Sequence, residues 1–146
     1  MGAYLLHRSL LTLPLRVHAA QRTAAVLAGR LTRHGAVERV LSPEPDGVQL
    51  RGPGAVLAFE LAGGLEAAAR VIGAVALITP AVSLGSTDTP IQHPAGLTHR
   101  LVEPEVRALA RDHRRLLRLS VGLEDAEDLW DDLAHALAAA RVRAAA

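Results

Sequence analysis

The hydrophobic positions of the chain follow a helical period over much of its length. Leu6, Leu10 and Leu13 share one face of a helix predicted at residues 3 to 13, and Pro14 predicts a break or a restart. Further helical patterns follow at about residues 16–33, 63–75, 103–112 and 124–142. After the first of these, we expect Gly35 to take the left-handed conformation that ends many helices.

Four segments have the composition or the alternation of short β-strands. They cover residues 36–43, 55–61, 77–83 and 116–122. In the last segment, LLRLSVG, alternation places Leu117, Leu119 and Val121 on one face and Arg118 on the other. We interpret residues 84–99 as a long irregular loop, and loops of that length in compact domains are often functional.

Helices that alternate with a few short strands favour an α+β fold. We predict a two-layer sandwich in which helices cover one small, mainly antiparallel sheet of about four strands. A length of 146 residues suits a single domain over residues 1–146, and half of the residues are apolar. Leucine, valine and alanine should form the core, because the chain has only three aromatic residues, Tyr4, Phe59 and Trp130.

The composition argues against several classes of binding partner and several kinds of site. Few aromatic residues and a net charge of +1 without a basic block argue against nucleic-acid binding. The longest uncharged apolar run, residues 71–85, is too short to span a membrane. Arg8 and Arg16 interrupt a segment that otherwise looks like a signal peptide, so we expect a cytoplasmic protein. The lack of cysteine excludes disulfides, thiolate nucleophiles and cysteine-based zinc sites.

Arg118 is a charged residue inside an otherwise apolar strand pattern. A buried guanidinium requires an anion, and its planar fork suits a carboxylate because two parallel hydrogen bonds can form. From the pattern alone, two plainer alternatives stay open. The side chain faces solvent, or it pairs with a neighbouring acidic residue.

Other polar residues allow other interpretations. Asp88, His93 and His99 have the chemistry of metal ligands, but no helical or hairpin spacing brings them together, so we predict no metal site. No nucleophile motif surrounds the serines and threonines of the predicted loop. The arginine cluster within residues 111–115 is interpreted as a solvated turn, with phosphate binding as the alternative.

Three motifs follow one another in the second half of the chain: Ser83-Leu84-Gly85, the segment HPAGLTH, and LRLSVGLED at residues 117–125. In this order and spacing they resemble the C-terminal domain of the pyridoxal-phosphate-dependent Cys/Met metabolism, or transsulfuration, enzymes. That family includes cystathionine γ-lyase, methionine γ-lyase and the O-acylhomoserine sulfhydrylases. The resemblance extends upstream to residues 3–16 and 56–72, and it implies the small C-terminal domain of fold-type I pyridoxal-phosphate enzymes.

The resemblance also implies a substrate site. In the family, the arginine of the RLSVG strand grips the α-carboxylate of the amino-acid substrate, and the serine of the SLG motif sits beside it. These roles fall on Arg118 and Ser83. Ser86 stands where a second glycine is usual and Asp88 where a glutamate is usual. Both residues border the implied site, so these departures put the choice of substrate in doubt.

The implied cofactor, pyridoxal 5'-phosphate, has to be held by a lysine amine, and all sixteen basic residues of this chain are arginine. The family's large domain carries that lysine and the other cofactor contacts. We therefore expect a carboxylate-binding domain or subunit of a carbon-sulfur lyase or synthase, with no catalytic residue of its own, that needs a partner chain bearing the lysine. The alternative is a non-catalytic remnant used as a dimerisation, scaffold or ligand-binding module.

Overall fold

The computed structural model describes residues 2–96 and 115–141. The described residues form four helices: α1 (Gly2–Leu11), α2 (Leu13–Thr32), α3 (Gly64–Ala74) and α4 (Ala126–Arg141). They also form five strands: β1 (Val37–Leu41), β2 (Val56–Leu61), β3 (Thr79–Pro80), β4 (Pro90–Gln92) and β5 (Leu116–Ser120). The short helix predicted at 103–112 lies outside the described residues.

The strands form one mixed sheet in the order β1-β2-β5-β4-β3. Three of its four pairings are antiparallel, and β3 pairs with β4 in parallel. The predicted α+β fold is confirmed, whereas the predicted number of about four strands is too low. The additional strand, β4, lies inside the segment expected to be an irregular loop, and it has only three residues, too few to show an alternating pattern.

The break between the first two helices occurs where the sequence predicts it. Helix α2 starts at Leu13 with Pro14 in its first turn, where proline lacks only a hydrogen bond that the helix would not make. The expectation for Gly35 is wrong, since its φ is not positive. Helix α2 instead ends in a tighter turn, in which the Arg33 amide donates to the Arg30 carbonyl at 3.1 Å. Among the described residues, no helix has the length and apolarity needed to cross a bilayer.

The core lies between one face of the sheet and the helices α2, α3 and α4. Leu117 and Leu119 of β5 are fully buried, and Val121, just after the strand, is 2% exposed, as the alternation predicts. Helix α4 contributes a stripe at its own period, with Leu129, Leu133, Ala136 and Leu137 all fully buried. Each buried leucine contributes about 1.5 to 3 kcal/mol by leaving water.

Asp132 joins α4 to the turn after α3. Its carboxylate accepts hydrogen bonds from the backbone amides of Ala76, Leu77 and Ile78, at 2.8, 3.1 and 2.8 Å. These amides follow the end of α3 and lead directly into β3. The carboxylate therefore fixes the course of the chain towards the loop that carries Ser83.

A second link joins α4 to α2. The Arg30 guanidinium donates to both carboxylate oxygens of Glu127, at 2.5 and 2.8 Å, and lies 5.6 Å from the ring centre of Trp130. The hydrogen bonds from Arg30 hold the pKa of the Glu127 carboxyl below its usual range. Folding therefore favours the charged form of Glu127.

Glu127→Gln is expected to make the stability of the chain less sensitive to acid. The pair contributes fully above the ordinary pKa of a glutamate, about 4.3. Its contribution is lost as the pH falls through the lower pKa of the folded chain. Urea unfolding from about pH 6 to about pH 3 should give a smaller acid slope in the variant. Arg30→Met should reproduce the change, and an unchanged slope in both variants would contradict it.

Candidate functional site

Arg118 lies in the middle of the central strand. In β5 it is opposite Ala58 of β2 on one side and Gln92 of β4 on the other. Its neighbours Leu117 and Leu119 enter the core, so the guanidinium lies on the opposite face of the sheet. Arg118 is partly buried, so its side chain is neither fully exposed nor fully enclosed.

One nitrogen of the Arg118 guanidinium is hydrogen-bonded, and another has no partner among the described residues. Nη2 donates to the backbone carbonyl oxygen of Ser83 at 2.9 Å. Nε is buried and has no hydrogen-bond partner among the described residues. None of the ion pairs among the described residues involves Arg118, so pairing with a neighbouring acid is not observed there either. A buried cationic donor without a partner is costly, and a bound anion would remove that cost.

The structure brings Ser83 and Arg118 together, but through the serine backbone. The Ser83 residue is exposed. Two residues on, Gly85 has a φ of 74°, and its amide donates to the Ser120 hydroxyl at 3.2 Å. Glycine fits this conformation because other residues adopt it rarely. The SLG motif thus forms a tight bend next to β5, and Ser83 is its first residue.

Ser86 and Asp88 lie further along the same loop and are both exposed. The Ser86 hydroxyl accepts a hydrogen bond from the Asp88 amide at 3.3 Å, so the two residues stabilise one local turn. Within the described part of the chain, neither is hydrogen-bonded to Arg118.

Two residues that the sequence analysis left out anchor this loop. Thr89 is fully buried, and its amide and hydroxyl donate to the two carboxylate oxygens of Glu124, both at 2.7 Å. The sequence analysis placed Glu124 only within the motif LRLSVGLED and at the start of the last predicted helix. A threonine in a loop and a glutamate 35 positions away share no local pattern, so periodicity could not have paired them.

A cavity of about 240 Å³ adjoins the loop on the side of α2. Leu13 and Val17 of α2 line it on one side, and Ser86, Thr87 and Leu123 line it on the other. Leu13, Val17 and Leu123 are each 40% exposed. The cavity is therefore the inner end of an apolar surface that starts on the helices and reaches the loop.

The other predicted groups lie apart or outside the described residues. Asp88 is exposed and His93 is partly buried, while His99 is not among the described residues. The described ranges contain no group of three acidic, histidine or cysteine side chains placed to hold a metal ion. Of the arginine cluster, residues 111–114 are likewise outside, and Arg115 forms ion pairs with Glu38 and Glu60 at 2.5 and 3.8 Å. Arg115 is thus paired with two acids, which argues against phosphate binding at this residue.

Comparison with known proteins identifies relatives across the chain. The profile of the Cys/Met metabolism PLP-dependent enzymes matches residues 1–138. An L-methionine gamma-lyase from Brevibacterium sandarakinum is 51% identical over 152 residues, which cover 99% of this chain and 38% of the relative.

Two solved structures share the fold closely. A cystathione gamma lyase from Micromonospora echinospora is 39% identical with a TM-score of 0.85, and the match covers 92% of this chain and 37% of that protein. A cystathionine gamma-lyase from Lactobacillus plantarum, complexed with L-serine, is 33% identical with a TM-score of 0.86, and the match covers 94% and 38%. The chain thus spans somewhat more than a third of the length of these relatives, and it belongs to the Cys/Met metabolism family of pyridoxal-phosphate-dependent enzymes.

Proposed function

We propose that this chain is the small C-terminal domain or subunit of a cytoplasmic transsulfuration-type enzyme, and that it binds the α-carboxylate of a sulfur-containing or related amino acid. The observation that carries the proposal is the state of Arg118, whose Nη2 is fixed by the Ser83 carbonyl while its buried Nε has no partner in the described part of the chain. One hydrogen bond orients the guanidinium plane, and the remaining donors are left for a ligand.

A carboxylate is the ligand that this arrangement suits best. Two parallel N–H groups match two carboxylate oxygens, and a partly buried position strengthens both bonds because water competes less. The exposed Ser83 hydroxyl lies next to the carbonyl that holds Arg118, so it can add a further hydrogen bond. The related structure from Lactobacillus plantarum is complexed with L-serine, an amino acid with such a carboxylate.

The residues of this chain do not by themselves fit the family's cofactor. Pyridoxal phosphate has to be held by a lysine amine, and the chain has no lysine. Since the chain spans only 38% of the length of its Brevibacterium relative, we propose that the lysine comes from a large domain, encoded separately or in a longer chain. Arg118 and Ser83 would then complete a composite site.

An exposed apolar face on α1 and the first half of α2 is the proposed contact with that large domain. Helix α1 contains no buried residue, and its leucines are 50% to 69% exposed. The docking face, as we call it, consists of Tyr4, Leu5, Leu6, Leu10, Leu11, Leu13, Leu15 and Val17. Monomeric proteins rarely leave so many adjacent apolar side chains in water. The cavity beside Ser86 continues this face to the site, so a domain seated here would border Arg118's loop.

The docking face also supports the second candidate function. A non-catalytic module would cover the same leucines by pairing two copies of the chain, since self-complementary apolar surfaces form twofold dimers. The two candidates differ in what covers the face, a large domain or a second copy.

Co-expression distinguishes these candidates. The chain should co-purify with the part of the Brevibacterium relative that it does not cover, and the complex should cleave carbon–sulfur bonds when pyridoxal phosphate is added. Leu10→Glu should abolish co-purification, whereas Leu65→Glu, an equally exposed leucine on α3 at 51%, should leave it intact. If the chain associates only with itself, the second candidate replaces the first. If it is a monomer with or without the large domain, both fail.

A further inference from the structure

We infer that Glu124 is a positioning residue for the Arg118 site, and that it acts through Thr89 by fixing the loop of residues 83–89 along β5. This inference rests on the proposed carboxylate-binding role of Arg118. It assigns a role to a carboxylate whose hydrogen bonds, among the described residues, go to Thr89 and not to the guanidinium.

Both oxygens of the Glu124 carboxylate and both the amide and the hydroxyl of Thr89 take part in hydrogen bonds. Both Glu124 oxygens accept from Thr89, one from its amide and one from its hydroxyl. The Thr89 hydroxyl oxygen also accepts from the Gly122 amide at 2.8 Å. Thr89 is fully buried, so these charge-assisted bonds are shielded from water and are stronger than an exposed pair.

The same loop is tied to β5 and the following turn at three further points. Arg118 Nη2 donates to the Ser83 carbonyl, the Gly85 amide donates to the Ser120 hydroxyl, and the Leu123 amide donates to the Thr87 carbonyl at 2.8 Å. Together with the Glu124 contact, these bonds pair successive loop residues with successive residues of β5 and the turn after it, and we call this series of bonds the ladder. Glu124 holds one end of the ladder and Arg118 holds the other. Release of the Glu124 end therefore frees the carbonyl that orients the guanidinium.

Helix capping does not account for Glu124. The neighbouring Asp125 caps α4, because its carboxylate accepts from the Glu127 amide at 2.8 Å and the Asp128 amide at 3.4 Å. Glu124 has both oxygens directed to the loop instead. The two adjacent acids thus have different contacts: Asp125 caps the start of α4, and Glu124 holds the loop.

Nuclear magnetic resonance on the purified 146-residue chain tests the inference without any enzyme activity. Glu124→Ala and Thr89→Val should speed amide exchange at Gly85 and Leu123 by about 10- to 100-fold, the factor expected for loss of a bond to a charged group. The Arg118 Nε–H resonance should shift as its orienting carbonyl is released. Thr89→Ser keeps the hydroxyl and should restore wild-type behaviour. Asp128→Ala, which removes an acid from the first turn of α4, is the matched control.

Titration with L-methionine separates this inference from the proposed function. In the wild type, the amino acid should move the Arg118 Nε–H resonance, and Glu124→Ala should weaken that response about 10-fold or more. If L-methionine leaves Arg118 unaffected in the wild type, both alone and in the complex with the large domain, the carboxylate-binding role fails, whereas the exchange result still decides the role of Glu124. If Gly85, Leu123 and Arg118 behave as in the wild type in Glu124→Ala and Thr89→Val, the positioning role is overturned. Unchanged exchange at Leu117 and Leu119 shows that the variants remain folded.

Discussion

Gly122→Ala is expected to lower the free energy of unfolding by roughly 2 to 4 kcal/mol, more than most single substitutions. A Cβ at this position would lie 2.2 Å from the Thr87 carbonyl oxygen and 2.7 Å from the Asp88 carbonyl carbon. Both atoms belong to the backbone, so no side-chain rotation can relieve the overlap. The loop has to move away from β5, and the hydrogen bond from the Gly122 amide to Thr89 is strained at the same time.

Urea unfolding at neutral pH measures this effect. Gly73→Ala is the matched control, because its Cβ would meet nothing within 4 Å and it lies in helix α3. Alanine is favoured over glycine by about 0.5 to 1 kcal/mol in a helix interior, and Gly73 lies in the last turn of α3, so this variant should lose no stability. Equal stability of Gly122→Ala and the wild type would contradict the close approach of the loop to Gly122 that the structure describes.

Arg118→Ala is expected to reduce kcat/KM of the complex with a large domain by roughly 30-fold to several thousand-fold. Truncation of one partner of a buried, hydrogen-bonded charge pair costs about 2 to 5 kcal/mol, and under the proposed function the partner of the partly buried Arg118 is the carboxylate of the substrate. Arg118→Lys retains the charge but loses the planar fork, so an intermediate loss is expected. Much of the change should appear in KM, because the carboxylate is bound before and during the reaction.

Steady-state assays with a range of amino-acid concentrations check this prediction. Arg39→Ala removes an exposed arginine from the edge strand β1 and should leave kcat/KM unchanged. A second comparison uses a substrate analogue in which the α-carboxylate is replaced by an amide. Wild type and Arg118→Ala should differ little with that analogue, and an equally large difference would mean that Arg118 acts on another group.

The core was predictable because it follows local periods. Leu117 and Leu119 alternate along a strand, Leu129 and Leu133 repeat along a helix, and each of them is fully buried. Strand β4 escaped prediction because three residues between turns carry no period, and Gly35 was misjudged because a tighter helix end satisfies the same carbonyl groups. Local patterns are informative only where an element is long enough to repeat.

The candidate site was predictable by a different route. Pattern alone left Arg118 among several arginines, and the order of motifs around it pointed to a carboxylate. The contacts that hold the site escaped, since Thr89 and Glu124 meet across 35 positions of sequence and look like ordinary loop and helix-end residues. Tertiary pairing between polar groups leaves no trace in a single sequence.

The position of Arg118 on the central strand has a consequence for redesign. Its backbone is paired with β2 on one side and with β4 on the other, while Ser86 and Asp88 belong to an exposed loop. A mutant library that seeks a new amino-acid preference should therefore vary Ser86 and Asp88 and keep β5 constant. Changes at these two exposed residues would alter the surroundings of the proposed ligand at small risk to folding, whereas changes in β5 disturb both neighbouring strands.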